Sequence, residues 1–354
     1  MQRPLVLGLE SSCDDTACAL VDAAGRVLST VVSSQLAAHR PYGGVVPEIA
    51  SREHLANFRP VLAATLERAG LGLEAIDAVA ATRGPGLVGS LLVGLSIGRA
   101  LAWGRGLPFL AVHHLEGHLY SPWLATEGLA AAAVPESFVG LVVSGGHTAL
   151  YQISAAGLET LAETRDDAFG EAFDKFGKRL GLPYPQGPQV DLLAELGDAG
   201  AARLPSLAGT EQLFFSYSGL KTQAIVALER LERAGVATAA QLGAEPPLPP
   251  AVLDLVAAFR DSAVRQVLDR LTRLHRRRPF EVLAVSGGAA ANRLLRSRLP
   301  DWAAERAVEL RLVPLAYSGD NAAMIAFAAQ RRLARGDADD PLTAEAESRI
   351  PLGA

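Results

Sequence analysis

The sequence predicts an α/β fold built from two copies of one unit, each a mixed sheet flanked by helices. Three observations predict it. Two hairpins with polar, glycine-bearing turns or ends, "GLESSCDDTACAL" and "VVSGGHTAL", hold matching places in the two halves of the chain. "ATRGPGLVGSLLVGLSIGRAL" and "AVSGGAAANRLLRSRL" each read as a strand, a glycine turn and a helix. The order βββαβαβα fills the first half, and the second half opens on the same meander. At 354 residues the chain is long enough for two domains.

The elements follow in order. Residues 4–10, 16–22 and 26–32 alternate apolar and small residues between polar or glycine turns, as strands of a meander do. A helical pattern runs from Pro47 to Ala69, with proline at its first position. Strand "AIDAVAAT", a "GPGLVG" turn, a helix to about Gly104, strand "PFLAVH" and a histidine-bearing helix complete the first unit. In the second half, 138–144, 148–154 and 158–164 form another meander. Helical patterns follow near 168–181, 189–197 and 217–234. A proline-rich break at 243–250 precedes a long amphipathic helix over 251–276. "FEVLAVSGG" reads as strand and turn, "VELRLVP" as a strand, and 320–335 as a final helix. The expected domains are 1–125 and 136–320, with helical insertions at 168–276 and the last helix, about 320–340, packing back on the first. Units of this kind bind ligands in the cleft between them, where glycine turns expose N–H groups to a phosphate.

Composition narrows the class. Forty-nine per cent hydrophobic and twenty per cent charged residues are those of a globular protein. "GSLLVGLSIGRALAW" is the nearest approach to a membrane span, and Arg99 and its glycines interrupt it. The start, "PLVLGLE", carries no signal-peptide pattern. Two cysteines cannot build a disulfide framework, so a cytoplasmic location is expected. The net charge of −5 argues against a nucleic-acid binder without excluding a local basic patch, for which "LHRRRP" is a candidate, a solvated helix end being its plainer reading. Thirty arginines stand against three lysines, and there are only three asparagines. The rare ones, Lys175, Lys178, Lys221, Asn292 and Asn321, fall in motifs and are expected to be kept for their own chemistry.

Three of the seven histidines crowd into "VHHLEGHLY". His114 and His118, four apart on a helix, share a face and can share a metal. A zinc protease needs glutamate directly after the first histidine. Here Glu116 follows by two, about 200° around the helix and away from the metal. A two-histidine metal site remains, with His113 a neighbour rather than a ligand. Gly117 inside the helix suggests close packing. Asp320, in "YSGDNAAMIAFAA", is the candidate third ligand, placed at the cleft end of the second unit. Its bland alternative is a helix N-cap.

In "DDAFGEAFDKFGKRLGLPYPQGPQVD", Asp166, Asp167, Glu171 and Asp174 are expected to start a helix whose dipole favours them. Asp191, near the start of the next helix, could hold ribose hydroxyls. Gly287 and Gly288 mark a strand–helix turn, with Asn292 in the first helical turns.

Taken in order, "GLESSCDDT", "VPEIASREH", "RGPGLVGSLLVG", "HHLEGH", "VSGGHT", "DDAFGEAFDKFGKRLGLPYP", "FSYSGLKT", "VSGGAAANRLLR" and "YSGDNAAMIA" resemble the TsaD family, over about residues 4–335. Its members synthesise threonylcarbamoyladenosine in tRNA and were once regarded as O-sialoglycoprotein endopeptidases. The resemblance implies the duplicated actin-like, sugar-kinase and chaperone-ATPase fold. It implies transfer of a threonylcarbamoyl group from threonylcarbamoyl-AMP to the 6-amino group of the adenosine 3′ of the anticodon, in tRNAs reading ANN codons. It implies one divalent metal per chain, Fe2+ ahead of Zn2+, on His114, His118 and Asp320. It places substrate on Val142, Val143, Ser144, Gly145, Gly146, Asp174, Gly187, Asp191 and Asn292. It implies tRNA and TsaB-like and TsaE-like proteins as partners, in the cytoplasm and off the membrane. Asp14 or Asp15 is the expected proton acceptor. The chain departs from the family at Asp15, where glutamate is usual, at Gln186, where many members have glycine, and in the ending "ESRIPLGA". The rival readings are an ATPase or kinase of the same fold, a metallopeptidase, and a scaffold subunit without catalysis.

Overall fold

The structure is a computed structural model, described here for residues 2–125, 132–204, 210–236 and 248–352. The elements run β1 (Val6–Glu10), β2 (Asp15–Val21), β3 (Val27–Ser34), α1 (Leu36–His39), α2 (Pro47–Ala69), β4 (Ala78–Gly84), α3 (Val88–Arg105), β5 (Phe109–His113) and α4 (His114–Tyr120). They continue with β6 (Phe138–Val143), β7 (Thr148–Ser154), β8 (Gly157–Glu163), α5 (Phe169–Arg179), α6 (Gly187–Leu193), α7 (Ser218–Arg233) and α8 (Pro250–Arg277). The last are β9 (Val282–Ser286), α9 (Arg293–Ala304), β10 (Glu309–Leu312) and α10 (Ala322–Leu333). Most of the proline-rich break, 243–247, lies outside the described residues.

Two compact units result: Met1–Pro135 with Val313–Ala354, and Glu136–Leu312. Their sheets have the same topology. The first is ordered β3-β2-β1-β4-β5 and the second β10-β9-β6-β7-β8, the same order read from the other edge. In each, the three meander strands pair antiparallel, and the first of them pairs parallel with the following strand. The parallel pairs require crossover helices, which is why each meander is followed by helical sequence.

In the first unit, alternation splits β1 between two faces. Leu5, Leu7 and Leu9 pack with Phe58 and Val61 of α2 and Leu95 of α3. Gly8 faces the other way, against α10. A Cβ on Gly8 would lie 2.2 Å from the Ala322 carbonyl oxygen, so the helix reaches the sheet only because that position is glycine. In the second unit the core gathers Leu141 and Val143 of β6, the phenylalanines of α5 (Phe169, Phe173, Phe176) and Phe259 of α8.

Two placements differ from the sequence reading. The chain returns to the first unit at Val313, before Asp320, so Asp320 belongs to the first unit and not to the second. Asp166 and Asp167 precede α5 rather than starting it. Asp166 instead accepts hydrogen bonds from the Tyr217 and Ser218 amides (2.8 and 3.1 Å), capping α7 from a distance.

Candidate metal centre and nucleotide pocket

Strand β5 runs into α4 with no intervening loop. His113 ends the strand in extended backbone (φ −74°, ψ 127°) and caps the helix, its side chain accepting from the Leu115 amide. The next residue, His114, is the first of the helix, and His118 lies one turn on. Their rings meet edge to face, centroids 4.8 Å apart. Gly117 lets α10 close on this helix, because a Cβ there would lie 3.0 Å from Met324 and Ile325 side-chain atoms.

Asp320 completes the cluster. Its Oδ1 is 3.4 Å from His114 Nε2 and 3.3 Å from His118 Nε2. The N-cap of α10 is the neighbouring Asn321, whose side chain accepts from the Met324 amide at 3.0 Å. The capping alternative for Asp320 therefore falls on the next residue, and its carboxylate is left to face the histidines. All three ligand atoms lie within 4.8 Å of one another, and all three residues are in the first unit. The expectation that a metal would draw ligands from both units is corrected by the helix returning earlier than its sequence position suggested.

The donor set fits a divalent ion. His118 is fully buried: its Nε2 faces the Asp320 carboxylate without a well-formed hydrogen bond, and its Nδ1 has no hydrogen-bond partner. A buried imidazole so poorly satisfied is costly, and an ion between Nε2 and the carboxylate would relieve part of that cost. Nitrogen and carboxylate ligands about 2.1 Å from a tetrahedral ion lie about 3.4 Å apart, close to the two histidine-to-Asp320 spacings.

Glu10, at the end of β1, is a residue the sequence reading missed. Its Oε2 sits 3.1 Å from His114 Nδ1 and accepts from the Thr82 hydroxyl at 2.7 Å, while Oε1 accepts from the Ser12 amide. The Ser12 hydroxyl adds a 3.2 Å contact to His114 Nδ1. A proton held on Nδ1 by Glu10 turns Nε2 toward Asp320, as a carboxylate behind a metal-binding histidine does. The signal was available: a glutamate closing an otherwise apolar strand, "VLGLE".

The charges interlock. Burial alone would lower His114, but the Asp320 and Glu10 carboxylates overcome it and hold the imidazole well above its usual value. Burial alone would raise Asp320, but His114 and then His118 hold it well below the carboxylate range. His118 is lowered, chiefly by burial. On the turn beside the cluster, burial pushes Asp15 up to about 7 against a hydrogen bond from Ser34, with Asp14 adding to the rise. Its Oδ1 is buried without a partner. Glu116 points elsewhere: burial raises it, and Arg332 and Arg335 are the charges that oppose the rise. The protease base is absent from the cluster, as the spacing indicated.

The second unit holds a pocket of about 430 Å³. Its walls are largely apolar, from Phe169, Phe173, Pro185, Pro188, Leu192 and Ala289. Gly145, Asp174, Gly187, Asp191 and Asn292 all line it. Val142 and Val143 end β6 with fully buried side chains, and Ser144 and Gly146 shape the hairpin turn, where the Ser144 amide donates to the His147 carbonyl at 2.8 Å. Asp174 accepts from the Gly187 amide at 2.7 Å, and burial raises its carboxyl. Asp191 Oδ1 accepts from Asn292 Nδ2 (2.8 Å) and from Arg260 Nη1 (3.1 Å), and Oδ2 accepts from the Arg293 amide (3.0 Å). Asn292 is the N-cap of α9, not a residue within its first turns. Arg260, buried in the middle of α8, carried no motif signal that sequence reading could use. Gln186, the departure noted above, is the buried N-cap residue of α6 and does not line the pocket.

The family model for TsaD, tRNA N6-adenosine threonylcarbamoyltransferase, matches residues 26–327. The chain belongs to the TsaD family. It is 46% identical over 341 residues to the tRNA N6-adenosine threonylcarbamoyltransferase of Anaeromyxobacter dehalogenans strain 2CP-1, covering 95% of this chain and 96% of that one. It is 47% identical over 333 residues to the protein of the same description in Burkholderia thailandensis, covering 94% and 93%. Among solved structures it is similar to T. kodakarensis HypF, with a TM-score of 0.58 at 14% identity, covering 94% of this chain and 48% of that chain, a likeness of fold alone. The TsaD membership and these neighbours agree with the duplicated actin-like, sugar-kinase fold of the two sheets. Among the described residues of this TsaD-family chain no helix is long and apolar enough to cross a membrane.

Proposed function

We propose that this TsaD-family chain transfers the threonylcarbamoyl group of threonylcarbamoyl-AMP to the 6-amino group of the adenosine 3′ of the anticodon, in tRNAs reading ANN codons. The observation that carries the site reading is the cluster of His114, His118 and Asp320, whose ligand atoms converge within 4.8 Å on buried imidazoles, His118 with no well-formed hydrogen bond. Near-full-length identity to named threonylcarbamoyltransferases supports the reaction.

His114, His118 and Asp320 would hold one divalent ion, Fe2+ first and Zn2+ as the alternative, since imidazole and carboxylate donors suit both. When bound, that ion supplies charge neutralisation at the phosphate or polarisation at the carbamoyl carbonyl. The chain's own residues do the rest. Phe169, Phe173 and Leu192 give the adenylate an apolar, water-poor seat, and Asp174 and Asp191 offer acceptors to sugar hydroxyls. The adenosine amine attacks the carbamoyl carbon, the bond to the phosphate oxygen breaks, and AMP leaves with the electron pair. The amine proton passes to a carboxylate of the "SSCDDT" turn. Asp15 suits this role: in the metal-free chain burial raises its carboxyl to about 7, with Asp14 adding to the rise, which makes it a ready proton acceptor. A ring-conjugated amine is a weak nucleophile, so placement and electrostatics supply most of the rate.

The chain works in the cytoplasm with tRNA and with TsaB-like and TsaE-like partners. With a net charge of −5, a partner supplies part of the basic surface for tRNA. The test supplies threonylcarbamoyl-AMP, the partners and unmodified tRNA, and looks for the modified nucleoside by mass spectrometry. His114→Ala is expected to abolish the product. Fast ATP hydrolysis by the chain alone, with no nucleoside formed, would favour an ATPase or kinase instead.

A further inference from the structure

The tail after α10 is not idle. Its Asp339 amide donates to the Phe109 carbonyl at 2.8 Å, and Asp339 Oδ2 accepts from the Ala111 amide at 2.8 Å, covering the open edge of β5. Arg99 in α3 then donates to the Pro341 and Leu342 carbonyls. Farther along, the Glu347 amide donates to the Arg83 carbonyl (2.8 Å), and the Arg83 guanidinium pairs with the Glu347 carboxylate (2.7 Å). The Gly86 amide donates to the Ser348 carbonyl at 3.3 Å. Beyond these contacts the segment reaches His113, whose Nε2 lies 3.1 Å from the Ile350 carbonyl oxygen.

His113 thus has two duties on one ring. A carbonyl can only accept, so Nε2 carries the proton, and Nδ1 is left to accept from the Leu115 amide at 3.1 Å. A single neutral tautomer satisfies both bonds. The helix it caps has seven residues, too few to hold its place without caps and packing. That helix carries two of the three candidate metal ligands.

We propose that Glu347–Ile350 is a positioning strap for the metal helix, acting through His113 and raising the affinity of the His114–His118–Asp320 centre for its divalent ion. His113 is a positioning residue, not a ligand. The strap orders the first turn of α4 before the ion arrives, so less of the binding free energy goes into ordering it. The inference rests on the metal reading above and adds to it a role for a histidine and a segment after α10 that the reaction itself does not use.

The test uses the full-length chain and two probes, zinc titrated against a chromophoric chelator and the absorption spectrum of bound cobalt(II). His113→Asn keeps an N-cap acceptor but is too short to reach Ile350. It is expected to lower the thermal midpoint by no more than about 2–4 °C, lower zinc affinity roughly three- to tenfold, the scale of one hydrogen bond, and shift the cobalt bands. Glu347→Ala, which loosens the strap without touching the helix, is expected to lower affinity in the wild-type background and to add nothing in His113→Asn. Wild-type affinity and spectrum in His113→Asn, or an equal loss from Glu347→Ala in both backgrounds, overturns the strap alone. A wild-type chain that takes up neither zinc nor cobalt overturns the metal reading and the strap together.

Discussion

Glu10 illustrates what a single buried charge does here. It is fully buried, and burial alone would raise its carboxyl, yet His114 outweighs that and holds it below the usual value. Its other partners, Thr82 and Ser12, fix which oxygen faces the imidazole. Glu10→Gln keeps the shape but loses the charge that keeps the proton on Nδ1. Zinc affinity is expected to fall about tenfold, read by chelator competition, while the fold is retained. Asp15 gives a different prediction. Its carboxyl rises from 3.8 to about 7 on folding, so the native state binds the proton more tightly than the unfolded chain. The contribution of Asp15 to the stability of the metal-free protein should therefore fall as pH rises from about 4 to 7 and level off above. Asp15→Asn removes that slope and is expected to be more stable than wild type at pH 8 by about 2–4 kcal/mol, checked by denaturant unfolding across pH. The rare residues also had an explanation different in part from the expected one. Asn292 and Asn321 cap α9 and α10, and Lys175 and Lys221 both pair with Asp167 at 2.6 Å.

At the scale of elements, α4 and α10 matter most. Neither is held by its own propensity alone: α4 is short, and α10 is buried along most of its length. Gly8 decides how near α10 comes to the sheet, and Asp320 lies two residues before the point of contact. Gly8→Ala would drive a methyl group into the Ala322 carbonyl, a backbone atom with no room to yield. A destabilisation of about 1–3 kcal/mol is expected by thermal unfolding, with a loss of zinc binding as Asp320 moves away. The periodicity of most long helices was legible: α8 spans Pro250–Arg277 against an expected 251–276. The basic end of that helix behaves as a solvated terminus, with Arg277 and Arg278 paired to Glu211 and Glu159. The short α6 was less legible. It spans Gly187–Leu193 and runs on in a 3-10 turn over Ala194–Leu196, against an expected 189–197, and it starts two residues earlier with Pro188 in its first turn.

At the scale of the molecule, the duplication was legible because each meander must hide one face of a sheet and each parallel pair needs a helical crossover. Those demands are local, and they leave marks in a single sequence: period-two strands, glycine turns, amphipathic helices. The same holds for His114 and His118, whose shared face follows from helix geometry alone, and for the exclusion of Glu116 as a protease base. Which unit owns Asp320 was a different kind of question. It depended on the chain leaving the second unit at Val313 and on a glycine in β1, over 300 residues away, leaving room for α10. The partnership of Glu10 with His114, of Arg260 with Asp191, and of Ile350 with His113 likewise joins residues 104, 69 and 237 positions apart. By itself the sequence determined the duplicated α/β unit and the shared face of two candidate metal ligands, and it offered Asp320 as the third, because periodicity and spacing act over a few residues. Only the tertiary structure decided what stands behind those ligands, because contacts between distant segments carry no period for the sequence to show.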